Sequence, residues 1–334
     1  MLSKMKYTME RNYKSMSRNK NAVRPRDFEI GEYLVNHSKE EASKHFNLNI
    51  ETIGRCHRRF RKHLRDKERK TDPGTPVIPK VLLFDIETLP MEAFTWTLFK
   101  PMLNHGNIIK DWCCVSWSAK WLFEDKMMSD VLTPKEALKR DDKRIMQSLW
   151  VLLDQANIII AHNSVKFDVP KSNTRFFLNG LKPPSPYQII DTLKIAKREF
   201  RFSSNRLDYM GILIARKGKL ETNFDLWKKC VNGDAEALEY MVKYNEEDVF
   251  LLEEVYNEMK PWMHSHPNLA VYSEATDSRC PVCLSTNIQT YGEYVTMVGR
   301  YDAIRCNDCG APSRRRQTNL SKKQREVLLV STAR

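Results

Sequence analysis

The chain has no apolar run approaching the roughly 18 residues that a membrane-spanning helix needs. Its first residues, Met1 to Lys14, also lack the apolar stretch of a secretory signal. Both absences argue against the membrane and secreted classes and lead us to expect a cytoplasmic, reducing compartment. In that setting the eight cysteines are not expected to form a disulfide framework. Acidic charge is scarce at the two ends. Residues 1–70 hold 19 Lys and Arg against 9 Asp and Glu, and residues 271–334 hold 10 against 6. The net charge is +13 over 334 residues, so the middle of the chain is close to neutral. Basic ends around a neutral centre are the footprint of a polyanion binder, and nucleic acid is the commonest polyanion. A composition of 41% hydrophobic and 29% charged residues suits folded domains, and the length suits about two of them.

Residues 1–26 are polar, basic and without period, and read as a flexible arm. Phe28, Ile30, Tyr33 and Leu34 then share a helical face. Ser38 reads as an N-cap ahead of Glu40 and Glu41, and Asn47 suits the left-handed turn that ends a short helix through Ala42 and Phe46. A second helix starts near Ile50 or Glu51. The pattern resembles a helix-turn-helix over residues 1–70, with Phe46, Leu48 and Ile53 as core and Ala42 at the helix crossing. The helix from Glu51 would carry Arg55, Arg58, Arg59 and Lys62 into a major groove. Residues 71–79 hold three prolines and a glycine, which excludes helix and marks an extended linker.

The centre alternates strand and helix patterns and belongs to the α/β class. Val81 to Leu89 reads as a buried strand that ends in Asp85 and Glu87, two apart and therefore on one face. Crowded carboxylates repel unless they are protonated or bridged by cations, and such hard oxygen ligands suit Mg²⁺ or Mn²⁺. Ile108 to Trp121 suggests one or two more strands, and Pro134 to Ala156 has helical period. Ile158 to Ala161 reads as a second buried strand, followed by Asn163 and then Asp168 near a helix start. Asp191 reads as a strand-edge or cap residue. In a later helix, Tyr244 and Asp248 are four apart and share a face.

Taken together, Asp85-x-Glu87, Asn163-x-x-x-Phe167-Asp168 and Tyr244-x-x-x-Asp248 resemble the DEDD superfamily of 3′→5′ exonucleases in its tyrosine subtype. That resemblance implies a ribonuclease H-like mixed sheet flanked by helices over residues 80–263. It implies that Asp85, Glu87, Asp168 and Asp248 hold two Mg²⁺ or Mn²⁺ ions and that Tyr244 positions the attacking water. It also implies that Leu89 wedges beside a terminal base and that Asn163 belongs to the nucleic-acid-binding set. With Tyr244 where the other subtype has histidine, His162 is expected to be structural or a substrate contact. Lys194, Lys197, Arg198, Arg201, Asn205 and Arg206, interleaved with Phe200 and Phe202, suit either a strand-tracking channel with stacking platforms or an aromatic core under solvated charge.

Cys280-x-x-Cys283 and Cys306-x-x-Cys309 form two knuckles with the spacing of a zinc ribbon over residues 275–318, holding one structural Zn²⁺. Arg314, Arg315 and Arg316 follow directly and suit phosphate contact. The basic tail, 319–334, has a helical pattern and no assigned role. The expected protein is thus a helix-turn-helix, an exonuclease and a zinc ribbon, acting on DNA in preference to RNA. Chain length leaves no room for a polymerase, so replication or repair proteins are the expected partners, and the architecture would suit a phage-encoded nuclease. The competing expectations are a DNA-binding regulator with a non-catalytic centre and an exoribonuclease.

Overall fold

The computed structural model describes residues 25–34, 37–68, 78–215, 220 and 222–329. The expected arm before Pro25, the linker residues 71–77 and the side chain of Lys62 lie outside the described residues. The chain divides into two compact units, Met1–Val77 and Ile78–Arg334.

The first unit contains α1 (Pro25–Tyr33), α2 (Lys39–Phe46) and α3 (Ile50–Glu68). A reciprocal capping box starts α2: Ser38 Oγ accepts from the Glu41 N–H at 3.2 Å, and the Glu41 carboxylate accepts from the Ser38 N–H at 2.8 Å. Asn47 ends it at φ 50°, in the left-handed region that its short polar side chain tolerates. Ile30, Ala42, Ile53 and Cys56 form the core, with Phe46 and Leu48 packed against it. α1 and α3 approach closely at Gly31, where an added Cβ would lie 2.1 Å from the Phe60 ring.

The second unit is built on a five-stranded mixed sheet in the order β5-β4-β1-β6-β7. Its strands are β1 (Val81–Leu89), β4 (Cys113–Trp121), β5 (Met127–Val131), β6 (Ile158–Ala161) and β7 (Gln188–Asp191). A short ribbon of β2 (Glu92–Ala93) and β3 (Ile108–Lys110) intervenes between β1 and β4. β1 lies at the centre, antiparallel to β4 and parallel to β6. β6 and the first four residues of β1 read as unbroken apolar runs because both faces of the sheet are covered there. Leu82, Phe84 and Ile86 enter one core with Ile145, Leu149 and Phe176, while Val81 and Leu83 enter another with Ile160, Val255 and Tyr256.

The helical period across residues 134–156 is split into α4 (Pro134–Lys139) and α5 (Lys143–Gln155). Arg140 breaks it at φ 58°, and its guanidinium donates to the Pro90 carbonyl at 2.8 Å and to Glu92 at 2.6 Å. These tertiary partners override the local pattern. Just beyond, buried Asp142 accepts from the Cys114 N–H, from Asn179 and from both Nε and Nη2 of Arg175. Arg175 lies on α6 (Asp168–Leu178), so this carboxylate ties α6 to β4. Next come α7 (Thr192–Glu199), the single turn α8 (Leu207–Met210), α9 (Phe224–Val231) and the long α10 (Ala235–Met259). The first half of α10 puts Leu238, Met241 and Tyr244 into one core, and the second half puts Val249, Leu252, Val255 and Tyr256 into the other. Lys120 on β4, nearly buried, donates to both oxygens of Glu253 at 2.8 and 2.7 Å and pins α10 to the sheet.

A three-stranded sheet, β8 (Ile288–Thr296), β9 (Gly299–Cys306) and β10 (Pro312–Arg314), follows, and a short α11 (Lys322–Val327) falls in the basic tail. Leu284, beside the first cysteine knuckle, packs against the core around Tyr256, and the Leu269 N–H donates to the Pro281 carbonyl at 2.8 Å. Among the described residues no helix is long and apolar enough to cross a membrane.

Gly31→Ala should destabilise the first unit by about 1–3 kcal/mol through overpacking against Phe60. Calorimetry should show one transition lowered and the transition of residues 78–334 unmoved.

Candidate active site and metal centres

β1 supplies the first pair of acids. Val81, Leu83, Asp85 and Glu87 alternate onto one face, with the aliphatic pair buried and the acids half-buried at the strand's end. The pairing of β1 with β4 then slips: Glu87 lies opposite Ser116, but Thr88 lies opposite Cys114. This bulge turns Leu89 onto the opposite face, where it is 0% exposed and packs with Phe84 and Ile86. The expectation that Leu89 wedges beside a base is therefore corrected. Strict alternation would have kept it beside the acids, and the bulge commits it to the core.

α10 supplies the second group. Tyr244 and Asp248 lie one turn apart on its buried side, where the helix passes from one core to the other. One carboxylate oxygen each from Asp85, Glu87 and Asp248 lies within 4.8 Å of the others, although the residues are up to 163 positions apart in the chain. Asp168 is not part of that trio. It begins α6, is almost completely buried, and its Oδ1 accepts from the Ile86 N–H at 3.3 Å. Its other oxygen, Oδ2, is buried with no hydrogen-bond donor. Burial, then the charge of Asp85, holds the Asp168 carboxyl well above the usual carboxylate range, with Glu87 adding to the effect.

These residues fit divalent cations. Three converging carboxylates and a buried acid with an unsatisfied oxygen form a hard-oxygen donor set whose mutual repulsion a cation would relieve.

Asn245 is a further residue of the site. It is fully buried between Tyr244 and Asp248, and its Nδ2 donates to Asp85 Oδ2 at 2.6 Å, while its Oδ1 accepts from Ser116 Oγ at 3.4 Å. The amide therefore holds Asp85 in place from the helix that carries Asp248. The available signal was a lone Asn on the apolar side of α10, where a buried amide must find partners.

The approach to the acids is set by the loop after β6. Asn163 sits at φ 73°, and Asp191 at the end of β7 accepts from the N–H groups of Asn163, Val165, Leu193 and Lys194 at 3.1–3.2 Å. Asp191 is thus a cap and a loop brace. His162 Nε2 donates to the Asn205 carbonyl at 2.9 Å and its Nδ1 meets Thr192 Oγ1 at 2.9 Å, a structural bridge. An open cleft of about 510 Å³ is lined by His162, Asn163, Lys197, Asn205, Arg206 and Tyr244. Phe200 and Phe202 are stacked on each other at 5.0 Å and packed against the core, which favours the core reading of that aromatic pair.

The second cluster is sulfur. The Sγ atoms of Cys280, Cys283, Cys306 and Cys309 all lie within 4.8 Å of one another. Cys280 to Cys309 and Cys283 to Cys306 are each 3.6 Å, close to the spacing of about 3.8 Å for four sulfurs 2.3 Å from one zinc ion. The Val282 N–H donates to Cys280 Sγ at 3.4 Å, a contact that favours a thiolate. The other four cysteines are buried singly or in core, and burial pushes the Cys113 thiol up to about 11.

The residues expected to meet nucleic acid are scattered over both units. Arg55 and Arg58 are exposed on α3, whereas Arg59 forms an ion pair at 3.8 Å with buried Asp27 and braces α1 against α3. Arg314 lies over the Tyr301 ring at 4.1 Å, Arg315 donates to Ser278 Oγ at 2.5 Å, and Arg316 is exposed.

With this geometry described, comparison with known proteins places the fold. The sequence model of the RNase_H superfamily matches residues 122–260, a span that includes Asp168, Tyr244 and Asp248 and begins after β1. The fold is RNase H-like. Among solved structures, the chain resembles the family B DNA polymerase from the hyperthermophilic archaeon Pyrobaculum calidifontis at 15% identity and a TM-score of 0.42. That match covers 57% of this chain and 26% of the polymerase, so the chain spans about a quarter of that protein. No curated protein matches.

Because burial raises the Asp168 carboxyl above its unfolded range, about pH 4, the stability of the fold should fall as pH rises from there. Asp168→Asn removes that ionisation. It should raise the melting temperature at pH 8 and leave it nearly unchanged at pH 4.

Proposed function

We propose that this protein is a metal-dependent 3′→5′ exonuclease that hydrolyses the phosphodiester bonds of nucleic acid, with DNA as its preferred substrate. The observation that carries the reading is the convergence of Asp85, Glu87 and Asp248, with Tyr244 one helical turn from Asp248 and a cleft opening beside it. Asp85, Glu87, Asp168 and Asp248 would hold two Mg²⁺ or Mn²⁺ ions, which supply charge stabilisation for both the attacking and leaving oxygens of an in-line displacement. Tyr244 would orient the attacking water through its hydroxyl. Lys197 and Arg206, on the cleft wall, would neutralise backbone phosphates, and Asn163 would contact the terminal nucleotide.

The flanking parts extend this reading. The four cysteines would bind one structural zinc, and Arg314 and Arg316 beside them would reach phosphate. Arg55 and Arg58 on the exposed side of α3, with Lys62, would carry the helix-turn-helix onto duplex DNA. The basic parts would recruit and hold the nucleic acid while the RNase H-like centre cuts, in the company of replication or repair proteins.

The test uses strands labelled at either end, with product size followed over time in Mg²⁺, Mn²⁺ or EDTA. Stepwise shortening from the 3′ end, lost in EDTA and reduced at least about 100-fold by Asp85→Ala with strand binding kept, is the expected result. Shortening from the 5′ end, internal cuts, or cleavage indifferent to Asp85→Ala would refute it. An RNA strand of the same sequence should be cut more slowly.

A further inference from the structure

The segment between β1 and β4 carries apolar side chains that no described residue covers. Phe94, Leu98 and Met102 are exposed, Trp96 is 102% exposed and Phe99 is 86% exposed. Contiguous exposed apolar groups of this size mark an interaction surface. Within the segment the formal charges are basic: from Ala93 to Lys110 there is no Asp or Glu, while Lys100 and Lys110 are present. The acid at its neck, Glu92, is already paired with Arg140 and lies 3.8 Å from Lys110. A protein-docking patch gains specificity from charges of both signs, whereas aromatic faces with cations alone suit a polyanion with stackable bases.

The segment is also firmly rooted beside the acids. Its neck is closed by the pairing of β2 with β3 and by the Phe94 N–H donating to the Asn107 carbonyl at 3.0 Å. Arg140 binds Glu92 at 2.6 Å and the Pro90 carbonyl at 2.8 Å, fixing the neck to the end of α4. Phe94 follows Glu87 by seven residues, so at about 3.3 Å per residue it lies within roughly 23 Å of the carboxylates, a span of a few nucleotides.

We propose that Phe94, Trp96 and Phe99 form a stacking platform that holds single-stranded nucleic acid upstream of the end being cut, with Lys100 meeting its phosphates. The proposal rests on the exonuclease reading for its direction along the strand, but strand binding by the platform needs no cleavage. It gives the aromatic role to this segment in place of the packed pair Phe200 and Phe202.

The experiment titrates the full-length protein, in EDTA, with fluorescein-labelled (dT)₂₀ and separately with a labelled duplex. Wild type is compared with the double variant Trp96→Ala and Phe99→Ala, and with Trp96→Phe. The double variant should bind (dT)₂₀ at least about tenfold more weakly, since stacking on each aromatic contributes substantially to affinity. Its duplex affinity and melting temperature should be unchanged. Trp96→Phe should keep affinity within about threefold while losing the part of the tryptophan quenching on (dT)₂₀ that the double variant also loses. Unchanged (dT)₂₀ affinity in the double variant would overturn the platform even if the protein degrades strands. Weakened binding in a protein that cleaves nothing would leave the platform standing and sink the nuclease reading.

Discussion

Everything in the second unit is arranged around a repulsion. Asp85, Glu87 and Asp248 are brought to within 4.8 Å by a central strand and a long helix, and a fourth carboxyl, Asp168, is buried directly behind them. No fold gathers that many acids without a compensating term. Here the scaffold supplies part of it: the Asn245 amide and the Ile86 N–H each donate to one of the carboxylates. The cluster is compatible with a divalent cation, whose charge would relieve the repulsion among these carboxylates.

The scaffold around this cluster is correspondingly stiff. β1 is central, paired on both sides, and covered on both faces. α10 is anchored to the neighbouring strands through Lys120 with Glu253, Ser116 with Asn245, and Ser129 with Glu246. α6 is fixed through Arg175 and Asp142, so the start of α6 that carries Asp168 is held against the sheet. Leu284, beside the sulfur cluster, packs against the core that contains Tyr256 of α10. An RNase H-like sheet and the helices packed on it thus hold the acids on stiff elements.

Much of this was legible in the chain itself, for identifiable reasons. Asp85 and Glu87 follow an aliphatic run, so strand period alone puts them on one face. Tyr244 and Asp248 follow from helical period, and the capping box at Ser38 and the turn at Asn47 follow from local chemistry. What sequence could not give depended on partners far away in the chain. The bulge that buries Leu89 arises from a slip against Cys114 and Ser116, about 30 residues on. Arg140 breaks a helical pattern because Pro90 and Glu92 take its guanidinium. Arg59 looks like its basic neighbours but faces Asp27. Asn245 gains meaning only from its neighbour Asp85, 160 residues away.

The central claim is that these separated acids form one site for paired divalent cations. The most direct measurement is the number of Mn²⁺ ions bound per zinc-loaded chain, counted by electron paramagnetic resonance at pH 8 and compared with Asp248→Asn. The account predicts about two ions in the wild type with the spectral signature of a coupled pair, and loss of that signature in the variant. No bound Mn²⁺, or binding that Asp248→Asn leaves untouched, would contradict it.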